Sequence, residues 1–194
     1  MNFLAHAVLS FEEPELMVGN FIADFVKGND YLQYPDPVKR GILLHRDIDQ
    51  YTDQHPTVRL SKSKLYDPYG HYSGVIVDMY YDHFLAANFF KFHRTQLPSF
   101  TYKVYQTIGN YDDPLPEKVS MILYHMSRGN WLLSYATIAG IDQALKGLAR
   151  RTKFNSGMEL AGDSLRENYR SFYQDFMIFF PQVMSFARDQ IERI

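Results

Sequence analysis

The stretch GVIVDMYYDHFLA, Gly74 to Ala86, constrains this chain more than any other. It is apolar nearly all round at helical spacing, so a helix here is buried. Yet it carries Asp78, Asp82 and His83. Carboxylates four residues apart share one helix face, with roughly 5–6 Å between their Cβ atoms. Burying both is costly unless a positive group lies between them. The fold must supply that group, and its nature is the main question the sequence poses.

The rest of the chain reads as helices. Pro14 can occupy a first turn and Gly28 can close PELMVGNFIADFVKG, and Asp36 is an N-cap candidate ahead of Pro37 in DPVKRGILLHRDIDQYTD. HYSGVIVDMYYDHFLAANFFKF follows the turn-like YDPYG, and Ser99 could cap FTYKVYQTI. NYDDPLP then breaks the chain ahead of EKVSMILYHMSRGNWLLSYATIAGIDQAL. In the last segment Leu165, Phe172, Phe176, Phe179 and Val183 recur at helical intervals, and Pro181 is expected to bend or interrupt the helix. No run alternates apolar and polar residues between hairpin turns. With 194 residues and no long linker, the expectation is one all-α domain over 1–194, a bundle of about seven or eight helices. With 15 Phe and 15 Tyr, its core should be rich in rings.

Three of these segments concentrate His and Asp at i,i+4 spacing. One holds Asn20 and Asp24, the second His45, Asp49 and Asp53, the third Asp78 and Asp82 with His83 adjacent. Imidazole and carboxylate suit a divalent cation such as Mn²⁺, Mg²⁺, Fe²⁺ or Zn²⁺. Such an ion would answer the opening question, lower the pKa of a bound water and polarise a phosphoryl or carbonyl oxygen. Taken singly, several of these residues have plain structural readings. Asp24 could pair with Lys27 or Arg46, His45 could be a hydrogen-bonded core histidine, and Asp53 could simply be solvated. Arg46 could hold a phosphate or pair with Asp49 or Asp53. His6, in the apolar start of the chain, reads as a core group or an outer hydrogen-bond partner. There is no nucleophile elbow, phosphate-cradling glycine loop or zinc-protease signature.

Net charge of −2 argues against general nucleic-acid binding, which needs a basic excess. No apolar run is long enough to span a bilayer, and no secretory signal is evident. With no cysteine, disulfides and thiolate ligands are excluded, and a cytoplasmic setting is expected. Lys146, Arg150, Arg151 and Lys153 form one basic cluster. Such a cluster is commonly a solvated helix end; the functional alternative is a docking patch for an acidic partner.

MNFLAHA, GNFIADFVKG, GILLHRDIDQYTD and VDMYYDHFLA together, with NWLLSY through LARR more loosely, resemble the acyl carrier protein phosphodiesterases. These are similar to the His-Asp superfamily of metal-dependent phosphohydrolases, with the motifs in rearranged order. The resemblance spans residues 1 to about 151. It implies hydrolysis of 4′-phosphopantetheine from holo-acyl carrier protein by metal-activated water, with Mn²⁺ the expected metal and Mg²⁺ or Fe²⁺ the alternatives. Matched residue by residue, Asp24, His45, Asp82 and His83 are the expected metal ligands. Asp49 and Asp78 are expected to orient ligand histidines or accept a proton, and Arg46 to stabilise phosphoryl charge. Asp53 also falls on a family position. The family pattern often has a second histidine two residues after the first, where this chain has Val8. Because the carrier is acidic, the resemblance also implies that the basic cluster docks it. Other readings of the same residues are a nucleotide or small-phosphate hydrolase, or a non-catalytic helical binding module. Oligomeric state is not legible in the residues.

Overall fold

In the computed structural model, which describes residues 1–194, the chain forms ten α-helices and five short 3-10 turns, with no β-strand. The helices are α1 (Phe3–Val8), α2 (Pro14–Ile22), α3 (Asp36–Gln54), α4 (Pro56–Tyr69), α5 (Ser73–Ala87), α6 (Leu97–Gly109), α7 (Glu117–Gly129), α8 (Trp131–Ser134), α9 (Ile138–Ala149) and α10 (Ala161–Ile191). Only the six-residue α1 and four-residue α8 exceed the expected set of about eight. One contiguous core of 49 buried residues runs through the molecule. No helix is long and apolar enough to cross a membrane.

Local boundaries follow local chemistry. Helix α2 stops at Ile22 and tightens into a 3-10 turn over Ala23–Phe25, so Asp24 lies on that turn and not on a helix running to Gly28. YDPYG is no turn until its end. Pro68 sits within α4, and the helix breaks at Gly70, whose φ of +51° favours glycine. Helix α6 begins at Leu97, ahead of Ser99, with Gln96 at the cap position. Pro181 does not interrupt α10. The kink is at Asn168 (φ −115°, ψ 19°), while Pro181 is exposed on a helix that continues past it.

Two packing features place the site. Helices α2 and α3 meet backbone to backbone. A Cβ on Gly19 would lie 2.1 Å from the Val38 carbonyl oxygen, and one on Gly41 2.2 Å from that of Leu16. Only glycine fits at either position. The 31-residue α10 lies across α3, α4 and α5, burying the row Leu165, Phe172, Phe176, Phe179 and Val183. Tyr80, Tyr81 and Phe84 of α5 meet these rings edge-on or tilted, arrangements aromatic pairs favour. Asp175 of α10 accepts hydrogen bonds from Ser61 and Lys64, both at 2.6 Å, fixing α4 against it. The expected ring-rich core therefore forms a rigid floor beneath α3 and α5.

Candidate functional site

Helix α3 supplies the centre. His45 and Asp49 are four residues apart on one face, with His45 Nε2 3.1 Å from Asp49 Oδ2. The 3-10 turn brings in Asp24, whose Oδ1 is 3.3 Å from the same Nε2. The other ring nitrogen decides the electrostatics. His45 Nδ1 lies 2.8 Å from the Asn20 carbonyl oxygen, which can only accept, so Nδ1 carries a hydrogen and donates it. In the neutral ring Nε2 is then a bare lone pair facing two carboxylates. That is unfavourable unless a proton or another cation sits between them. Burial opposes charging His45, but Asp24 and Asp49 outweigh it and raise its pKa to about 9.

His6, from α1, stacks on His45 with ring centroids 3.9 Å apart and an interplanar angle of 14°. Its Nε2 is 3.2 Å from Asp49 Oδ1 without hydrogen-bonding alignment, so neither ring nitrogen of this buried histidine has a hydrogen-bond partner. Burial, then the charge of His45, lowers its pKa to about 4. Ligand atoms of His6, His45 and Asp49 all lie within 4.8 Å of one another. Asp49 is pushed up by burial, but the imidazoles of His45 and His6 and the Met1 ammonium outweigh this and hold it far below the usual range. Asp24, mostly exposed, is held low chiefly by His45.

Asp78 joins through the chain start. The buried Met1 ammonium lies 3.3 Å from both Asp49 Oδ1 and Asp78 Oδ1. Burial alone would lower its pKa, but Asp78, Asp49 and Asp82 raise it to about 10. Asp78 is pushed upward by burial, with the ammonium opposing.

Asp82 and His83, expected among the ligands, are engaged elsewhere. Both Asp82 oxygens accept backbone hydrogen bonds at the start of α1, from Leu4 N at 2.9 Å and Ala5 N at 3.1 Å. These are orphan donors of a first turn, so a helix N-terminus supplies the positive partner for this buried carboxylate. Desolvation still carries its pKa up to about 7. His83, about 100° further round the helix, points to a different neighbourhood. Its Nδ1 donates to the Tyr135 carbonyl at 2.8 Å and its Nε2 accepts from the Tyr169 hydroxyl at 3.1 Å. Burial lowers its pKa, and no ring nitrogen is left over for an ion.

Arg46 is also turned away. Its guanidinium donates to the Val26 carbonyl at 3.1 Å and sits over the Tyr31 ring. Asp53 pairs with Lys62 at 2.6 Å. Lys146, Arg150, Arg151 and Lys153 are all exposed at and just beyond the end of α9.

Two contributors were undervalued in the sequence. His6 was legible as a polar residue in an apolar segment, but its stacking on His45 is a contact across 39 positions. Asn20 bridges the pair. Its amide nitrogen donates to the His6 carbonyl at 3.0 Å, while its backbone carbonyl accepts from His45.

A family model described as acyl carrier protein phosphodiesterase matches residues 1–183. A relative from Photorhabdus laumondii bearing that name is 35% identical over 191 residues, covering 98% of this chain and 96% of its own. Relatives of the same name from Salmonella agona and Serratia proteamaculans are 31% and 29% identical, again over at least 96% of both chains. No solved structure matches.

Proposed function

The chain belongs to the acyl carrier protein phosphodiesterase family, and on that premise we propose that it hydrolyses the phosphodiester joining 4′-phosphopantetheine to the serine of holo-acyl carrier protein, with a divalent cation held by His6, His45, Asp49 and Asp24. The observation that carries the cation is His45 Nε2, which faces two carboxylates across a gap that a proton or a metal ion must fill, because its Nδ1–H is committed to Asn20. The unpartnered ring nitrogens of buried His6 fit the same need. A mixed imidazole and carboxylate donor set suits Mn²⁺ or Fe²⁺, with Mg²⁺ and Zn²⁺ as competitors. When bound, such an ion supplies Lewis acidity toward a water and a phosphoryl oxygen.

The chain's own groups then have distinct tasks. Asn20 fixes the tautomer of His45 and ties down the backbone of His6, the supporting role that outer hydrogen-bond partners play around ligand histidines. Asp82 anchors the first turn of α1, and with it His6. Asp78, its carboxyl pushed upward by burial, accepts a proton at the site. Arg46, with its guanidinium on the Val26 carbonyl and the Tyr31 ring, is assigned no step. Lys146, Arg150, Arg151 and Lys153 receive the acidic surface of the carrier, steering encounter and orientation.

The test is release of phosphopantetheine from holo-acyl carrier protein by purified protein, with Mn²⁺ and after thorough chelation. Release that stops on chelation and returns with Mn²⁺ is expected. Undiminished release from the chelated protein refutes the cation, and no release under any condition refutes the activity.

A further inference from the structure

A groove of about 650 Å³ separates the N-terminal segment from the α8–α9 corner. Asn2 and Met79 are among its lining residues. They are the chain neighbours of Met1 and Asp78, whose ammonium and carboxylate meet at the cluster. Lys146, Arg150 and Arg151 line it from α9 and the residues just after it. The lining also combines apolar surface from Phe3 and Trp131 with the polar side chains of Ser134 and Gln143. The corner is tightly built. A Cβ on Gly140 would lie 2.0 Å from the Ser134 carbonyl oxygen, so α9 starts hard against α8 and the two make one wall. Hydrolysis at the cluster uses none of these wall residues.

We propose that this groove holds the pantetheine arm of the carrier's prosthetic group, an assignment that rests on the carrier-phosphodiesterase reading above. The arm is neutral, with a gem-dimethyl group, a hydroxyl and two amides in sequence. It therefore calls for a wall combining apolar and hydrogen-bonding surface, as found here. The volume lies within the range of roughly 300–1,000 Å³ that small-molecule sites occupy. Because phosphate and arm are bonded, the arm must leave from beside the cluster, and Asn2 and Met79 bring the groove next to Met1 and Asp78. Lys146, Arg150 and Arg151, on the same lining, meet the acidic protein whose serine carries the phosphate.

Trp131 is the only tryptophan in the chain, so its emission reports on the groove directly. Free pantetheine, which lacks the phosphate, should shift Trp131 emission saturably in metal-free protein. Ala139→Phe and Gln143→Phe stand one turn apart on the exposed face of α9 and both fill the groove. Each should weaken pantetheine binding and raise the KM for holo-carrier by about tenfold or more, with kcat changed far less. Melting curves of both variants should stay close to wild type, since neither position is buried. A wild type that cleaves holo-carrier, with both variants keeping its KM and its pantetheine response, overturns the groove assignment and leaves the hydrolase reading standing. A wild type that binds pantetheine but leaves holo-carrier intact overturns the hydrolase reading instead.

Discussion

Replacing Asp82 by alanine strips the partners from two buried backbone donors. Leu4 N and Ala5 N sit in the first turn of α1, where no intrahelical acceptor exists, and Asp82 is the acceptor of both. An unsatisfied buried donor costs about 1–3 kcal/mol, so the pair costs about 2–6 kcal/mol. For a chain of this length each kcal/mol lowers Tm by roughly 2–4 °C, giving a fall of roughly 4–24 °C. Asp82→Asn keeps one acceptor oxygen and should lose about half as much stability. Thermal melts followed by circular dichroism, run on chelated protein, isolate this anchoring from any effect of a bound ion. The loss should extend to Mn²⁺ affinity, because α1 carries His6. If chelated Asp82→Ala melts with wild type while its Mn²⁺ affinity collapses, Asp82 is a ligand and the anchoring argument is wrong.

Asn20→Ala removes the side-chain bond to the His6 carbonyl while leaving both histidines in place. Titration of the purified variant should show Mn²⁺ affinity reduced about 10–100-fold, and unchanged affinity would dismiss its supporting role. Charge reversal, Arg150→Glu with Arg151→Glu, should raise the KM for holo-carrier about tenfold at low salt, and the gap should shrink as ionic strength rises. A KM indifferent to both charge and salt would remove the docking patch. Burial lifts the Asp82 pKa from 3.8 to about 7, so the folded state holds that proton more tightly than the unfolded one. Its contribution is complete below about pH 4 and is lost as pH rises through about 7. The stability margin of chelated wild type over Asp82→Asn should therefore narrow between about pH 4 and about pH 7, and a constant margin would contradict the shift.

Much of this was legible in the residues, and the failures have identifiable causes. Helical periodicity gave the all-α class, and the i,i+4 spacing of His45 and Asp49 described a real face of α3. A buried carboxylate such as Asp82 looks the same in sequence whether a metal or a helix N-terminus neutralises it. The N-terminus that does so lies some 78 positions away, from Leu4 to Asp82. The resemblance pairs Asp82 with His83, yet adjacent helical residues diverge by about 100°, and the two side chains meet different partners. Arg46, beside His45, diverges in the same way toward Val26 and Tyr31. The Met1 ammonium was missed because it is a backbone group that no motif records. Pro181 was assigned the bend that Asn168 makes, since a proline on an exposed helix face can be tolerated by its neighbours.

The glycine contact between α2 and α3 acts as a caliper for the site. Its jaws are main-chain atoms, so the separation between Asn20 and His45 does not depend on how flanking side chains fill space. Aliphatic residues around it can be exchanged, and the helices still close to the same stop. The two imidazoles inherit their alignment from that stop, which leaves the surrounding sequence free to drift without retuning the chemistry.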